Sequence, residues 1–297
     1  MGREAASFID IKEQCRSTGH VGTGEGVMKL LGVSQLPNGT GDAEASALFN
    51  QLIGWNIAER VKFMSFDTTA FNTGLKAGAC VLEQKLQRKR LPLACRHHIH
   101  NLRVAQEFRV LLKPATAGSK IKLFERFAGN WCRIDREAYE SGIIEEFVSI
   151  CLQPVRDNLV SFLNCQLLEH QPRDDYKELL NLALVFLGAP PKGIRIIALS
   201  AMHRARWMAK LIYCLKIYLF RSQFILTGRE FSGLMEFIVF VIQIYLKAWC
   251  TCQSPALATL KDLQLLKQLW SYKTTNESVA MAAIQSFTNH LWYQVRL

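Results

Sequence analysis

The stretch SFDTTAFNTGLKAGACVLEQKLQRKRLPLACRHHIHNL, residues 65–102, holds the only dense cluster of side chains capable of site chemistry. It is entered through a short run, 61–66, whose interrupted apolar pattern fits a buried strand better than a helix. Asp67 then falls at the C-terminal edge of that strand, where open α/β sheets collect ligands and metals. Thr68, Thr69, Asn72 and Gly74 are turn and cap formers, and 78–86 can run as a helix. Leu91, Leu93 and Ala94 make a second short strand. Cys95, His97, His98 and His100 follow at once. The unit reads strand, acid, helix, strand, Cys-His cluster.

Working outward, the 297 residues suffice for one large domain or two of ordinary size. Hydrophobic residues make up 49% and charged ones 21%, the balance of an ordinary water-soluble chain. The net charge of +11 points to an anionic partner, against the alternative that lysine and arginine only solvate the surface. Residues 51–113 carry 11 basic against 4 acidic side chains and 191–247 carry 9 against 2, whereas 114–190 carry 8 against 11. The surplus therefore coincides with the segments that hold the candidate site residues. Nine cysteines without disulfide-framework spacing, and no visible signal peptide, predict a reducing, intracellular setting. The most apolar run, 237–246, is too short for a bilayer and is bounded by Glu236 and Lys247, so no membrane partner is expected.

Residues 1–26 show little periodicity and are expected to be poorly ordered, with Phe8-Ile9-Asp10-Ile11 the one place for a strand. Residues 27–36 are strand-like and stop at Pro37-Asn38-Gly39, after which Asp42 caps a helix with Ala45, Leu48, Phe49, Leu52 and Ile53 on one face. Strand and helix alternate to about residue 113, which predicts a mostly parallel sheet. Beyond the histidines the pattern is helical throughout. Helices are expected over 138–153, 155–169, 176–187, 201–221, 231–249, 256–272 and 276–293.

The words SFDTTAFNTG and ACRHHIHNL, in this order, resemble the middle of an hAT-type transposase, a ribonuclease-H-like DDE enzyme in which an aspartate motif precedes C-x-x-H. They are most similar to transposon-derived animal proteins. Cys95-Arg96-His97-His98 fits C-x-x-H, and Ala205-Arg206-Trp207 resembles the family's Arg-Trp motif inside a helical insertion. The resemblance implies an α/β ribonuclease-H-like core over 27–113, an all-α insertion over 114–255 and C-terminal helices over 256–297 returning to the core, helix-dominated overall. It also implies a sheet short of two early strands and a core cut at both ends. A nuclear location goes with it.

By that resemblance Asp67 is the second of three catalytic acids and a ligand for Mg2+ or Mn2+, held by oxygen donors in a two-metal site. The alternative is that Asp67 only caps the following helix. The first acid would stand on the sheet's first strand. Asp10 could supply it only if its segment formed a strand beside 61–66. The third would be a glutamate just beyond the segment that 290–293 resembles, and no carboxylate follows there. His98 would sit beside the scissile phosphate, while Arg206 and Trp207 would contact DNA, the aromatic stacking on an unpaired base. Against this stands a plain core role for Trp207 and an ion pair for Arg206. Cys95, His97, His98 and His100 also invite a zinc site, with Cys250 and Cys252 as distant donors, but one C-x-x-H without a second pair fits structural packing better. A Cys95/His98 hydrolase lacks a third member and an oxyanion loop. The expectation is a transposase-derived protein without catalysis that binds DNA without sequence preference. The alternatives are a working metal-dependent nuclease with Asp67 as a ligand, and a helical protein-interaction module.

Overall fold

The structure is a computed structural model, and it describes residues 7–14, 17–24, 27–66, 78–113, 121–169, 173–199, 207–252 and 257–288. The chain divides into two compact units, Met1–Ile99 with Gln253–Ala258, and His100–Cys252 with Thr259–Leu297. Helices dominate the described residues.

The first unit is built on five strands: β1 (Ser7–Gln14), β2 (Ser17–Gly24), β3 (Val27–Gln35), β4 (Val61–Phe66) and β5 (Leu91–Ala94). Their order across the sheet is β3-β2-β1-β4-β5. Strands β1, β2 and β3 are antiparallel neighbours, while β4 runs parallel to β1 and β5 parallel to β4. This corrects the expectation of a sheet lacking early strands, and half of its pairings are antiparallel where a mostly parallel sheet was expected. The strand β2, STGHVGTG, has one large apolar residue and three glycines, so it carries no apolar alternation to read. Ladder hydrogen bonds to β1 on one side and β3 on the other hold it in place.

Helix α1 (Gly41–Gly54) starts at Thr40, whose Oγ1 accepts the Ala43 N–H at 3.3 Å. Its apolar stripe, Ala45, Leu48 and Leu52, packs with Leu31, Val61, Met64, Phe66 and Leu82 of helix α2 (Gly78–Lys85). Trp55 Nε1 donates to the Leu31 carbonyl at 2.8 Å, and Gln51 Nε2 to Ser34 Oγ at 2.8 Å. A Cβ on Gly32 would lie 2.6 Å from that Gln51 amide, so glycine makes room for the helix against β3. Arg90 is buried at the entry to β5, donating to the carbonyls of Ala58, Arg88 and Lys89 at 3.1, 3.1 and 3.3 Å.

Helix α3 (Arg96–Leu112) begins in the first unit and continues into the second. The division between the units falls inside α3, at Ile99/His100 rather than at 113, and Val104, Ala105 and Phe108 are core residues of the helical unit. That unit continues with α4 (Lys122–Asn130), α5 (Glu146–Leu152), α6 (Arg156–Leu168), α7 (Asp174–Phe186), α8 (Trp207–Leu219), α9 (Gly228–Phe240), a π-helical turn (Val241–Tyr245), α10 (Leu246–Cys250), α11 (Ala258–Tyr272) and α12 (Glu277–Thr288). Helices α11 and α12 group with this unit, where a return to the α/β core was expected. The predicted helix over 138–153 is confined to α5, with a short 3-10 turn at Gly142–Ile144 before it. Thr227 and Glu230 form a reciprocal capping box on α9. The run Gly228–Cys250 has 23 residues and mean hydropathy 1.6, long and apolar enough by length and composition to cross a membrane. It is more than twice the expected apolar run, and here it is a core helix with Leu234, Phe237, Phe240, Ile242 and Tyr245 buried.

Candidate nucleic-acid interface

In the first unit, β4 and β5 end together, with Phe66 paired to Ala94. The Cys95 N–H donates to the Phe66 carbonyl at 2.8 Å, so the two chains are tied at the point where each leaves the sheet. Asp67 is the next residue after Phe66 and lies outside the described residues. On the other side of β4, Asp10 of β1 is in register with Ser65. The condition for Asp10 to stand beside the acid edge, a strand of its own next to 61–66, is thus met at the level of the backbone.

Helix α3 opens on that same edge. The Cys95 carbonyl accepts the Ile99 N–H at 3.1 Å, so Cys95 starts the helix through its backbone. Arg96 is buried, His97 and His98 are half-buried, and the first turn contains no acid. Basic residues in a first turn oppose the helix dipole, and an anion there relieves both.

In the second unit α3 continues as a buried polar seam. Arg103 is wholly buried and its guanidinium lies 3.1 Å from His100 Nδ1 and 5.1 Å from the Phe287 ring. The Tyr245 hydroxyl donates to Asn101 Oδ1 at 3.2 Å, and its ring meets His100 edge-on at 6.5 Å. Glu107 is wholly buried, and burial pushes its carboxyl up to about 8 against the pull of the Arg103 guanidinium. Burial also raises the Tyr245 phenol. No signal in the sequence marks this seam, because its members sit at helical spacing among apolar residues and read as an ordinary polar face.

Trp207, the first residue of α8, packs edge-on against buried Phe108 at 5.6 Å, and Lys210 Nζ stands 4.1 Å over its ring. Phe108 in turn meets Phe124 and Phe237. One ring face therefore already carries a cation, and the residue closes an aromatic cluster. Arg206 lies outside the described residues.

The basic surplus divides. In 191–247, Lys210, Lys216 and Arg221 are structural: Lys216 pairs with Glu178 at 2.5 Å, and Arg221 donates to the carbonyls of Glu140 and Ser141 at 3.0 and 3.2 Å. Burial lowers the Lys216 ammonium despite its glutamate partner. In 51–113, Arg90, Arg96 and Arg103 are buried, Arg109 and Lys113 are exposed on and just after α3, and Arg60, Arg88 and Lys89 are exposed in the first unit. These three lie at the N-terminal ends of β4 and β5, with Arg88 reaching back to the Glu59 carbonyl at 3.2 Å. Six residues of strand separate them from the acid edge, about 20 Å.

Among the described residues no three His, Cys, Asp or Glu side chains group closely enough to hold a metal ion. Cys252 is buried and donates its thiol to the Trp249 carbonyl at 2.9 Å, while burial raises the Cys250 thiol to about 12, so both thiols are in protonated, packed settings. Compared with known proteins, the chain matches no family model, no curated protein and no solved structure.

Proposed function

We infer that this chain is a transposase-derived protein with a ribonuclease-H-like core that binds DNA without sequence preference and, as this chain, does not cut it. The observation that carries the reading is the sheet. The resemblance implies an aspartate on a first strand followed by two more strands, then the aspartate motif and C-x-x-H. Strand β1 holds Asp10, β2 and β3 follow it antiparallel, and β4 and β5 lead into residues 67 and 95. Val27–Gln35 is the third strand itself and not a segment after it. Exposed Arg60, Arg88 and Lys89 sit on the edge away from residue 67, which suits a surface that holds phosphates more than one that presents a scissile bond. Duplex binding should fall with a log–log salt slope of about −0.9 per phosphate contacted. Arg60→Ala with Lys89→Ala should reduce that slope by about two, uniformly across sequences. Binding that ignores salt overturns the reading.

A second reading, metal-dependent DNA cleavage, is favoured by one observation, the register of Asp10 with Ser65 two residues before Asp67. Carboxylates suit the hard ions Mg2+ and Mn2+, so Asp10 and Asp67 are a fitting donor pair, whereas the neighbouring imidazoles suit magnesium poorly. Such an ion supplies a lowered water pKa and a counter-charge for the leaving oxygen. The chain's own part would be to hold it between β1 and the end of β4, with the His98 turn facing the phosphate.

A further inference from the structure

Within the helical unit, α6, the π-helical turn with α10, and α11 with the turn after it enclose a cleft of about 470 Å3. That volume falls in the range of small-molecule sites. Its walls follow from helical spacing. Asn158 and Phe162 stand one turn apart on α6, Lys267 and Ser271 on α11, and Gln268 and Tyr272 beside them. The third wall is more telling. From 237 to 249 the chain reads FIVFVIQIYLKAW, and Gln243 and Lys247 are its only residues without an apolar or aromatic side chain. Both line the cleft. The extra residue of the π-helical turn falls at this point of the helix, and such turns recur at functional sites.

The lining carries two cations, Lys247 and Lys267, and no carboxylate. Both lysines are exposed, and among the described residues neither enters an ion pair. The acids near the lining in sequence are engaged elsewhere: Asp157 with Arg156 at 3.2 Å, Glu277 with Lys273 at 3.2 Å and Glu236 with Asn276 at 2.6 Å, while Asp262 is buried and partnered. The hydroxyl protons of Ser271 and Thr274 are given to the carbonyls of Lys267 and Ser271. Donors for a ligand are the two ammonium groups, the amides of Asn158 and Gln268, and the hydroxyls of Tyr272 and Thr275. Gln243 adds an acceptor, since its buried Oε1 has no hydrogen-bond partner. Phe162 and Leu159 make the apolar side. The cleft thus offers two positive charges, an acceptor and a ring face.

We propose that this cleft is a binding site for a phosphate ester with a planar, hydrogen-bond-donating part, of the size of a mononucleotide. Lys247 and Lys267 take the phosphate, Gln243 takes an N–H or O–H of the ligand, and Phe162 packs on its planar part. The ester can reach the protein as a free nucleotide or as part of a single strand. Neither source depends on the arginines at the sheet edge.

The test is calorimetric titration of the full chain with 2′-deoxyadenosine 5′-monophosphate, inorganic phosphate, deoxyadenosine and a short single-stranded oligonucleotide. The expected result is saturable binding of the monophosphate, competition by inorganic phosphate at higher concentration, and no binding of deoxyadenosine. Lys247→Gln or Lys267→Gln should each weaken it about tenfold and the pair about a hundredfold, with Lys267→Arg close to wild type and Lys192→Gln unchanged. Denaturant midpoints of these exposed-site variants should match wild type, and their duplex binding should persist, which separates this site from the DNA-binding reading. Lysine-dependent binding of the oligonucleotide alone sustains the site and assigns the phosphate to a strand. No saturable binding of any phosphate ligand, equal binding of deoxyadenosine, or affinity unchanged in the double variant overturns the proposal.

Discussion

Glu107 shows how a single buried carboxyl can set the pH response of the helical unit. Its ordinary value is 4.5, and burial raises it to about 8 in the folded chain. Below 4.5 both states are protonated and the position costs nothing. As pH rises toward 8 the unfolded chain releases the proton while the folded chain keeps it, so stability falls by roughly 1.4 kcal/mol per pH unit, and above 8 it levels off. Glu107→Gln keeps the volume and cannot titrate. Urea denaturation at pH 5, 6.5 and 8 should show the variant gaining on wild type as pH rises, and a constant difference would sink the assignment. Two backbone positions give sharper, pH-independent effects. Gly188 has φ +71 at the end of α7, where Arg156 donates to the Leu187 and Gly188 carbonyls at 2.8 and 3.2 Å. Gly188→Ala should lower the unfolding free energy by about 1 kcal/mol or more, through the left-handed backbone and a Cβ that would stand 3.1 Å from Ile143 Cγ2. Thr227→Ala, which opens the capping box of α9, should cost about as much by the same measurement.

Legibility from sequence varied element by element, and for physical reasons. Strand β4, α1 and the helices of the second unit announce themselves because each buries one apolar stripe or run, as Ala45, Leu48 and Leu52 do on α1. Strand β2 does not, since it is held by hydrogen bonds to two neighbours and has little side chain to bury, and of β1 only 8–11 read as strand. The same holds for the site. Cys95 and His98 could be placed because a strand end and a helix start frame them, whereas Trp207 read as core somewhat more than as platform, and Phe108 and Lys210 stand around it. The consequence for β1 is testable. It lies between β2 and β4, so it is an interior strand of the sheet and not an appendage. Removing residues 1–26 should expose the β4 edge, abolish cooperative unfolding of the first unit and promote aggregation. A truncated chain with an unchanged melting transition would show that the N-terminal strands are dispensable.

At the scale of the whole chain the question is whether binding is accompanied by chemistry, and the expectation is that the 297-residue chain neither cuts nor joins DNA. Two-metal catalysis needs carboxylates that hold both ions within about 4 Å of one another. Asp10 and Asp67 can supply one pair through the parallel register of β1 and β4. The resemblance asks for a third acid near the segment that 290–293 resembles. The nearest carboxylate before it is Glu277, the first residue of α12, and it is turned to Lys273 at 3.2 Å. His97 and His98 do not make up the deficit for magnesium, though manganese tolerates an imidazole. The assay is cleavage of hairpin and linear duplexes with Mg2+ and with Mn2+, comparing wild type with Asp10→Ala and Asp67→Ala. No product is expected from any of the three, with duplex binding retained in all. Cleavage by wild type that disappears in both variants would make the Asp10–Asp67 pair a working metal site and the enzyme reading the correct one. Product that persists in both would trace to a contaminating nuclease, leaving the binder reading intact.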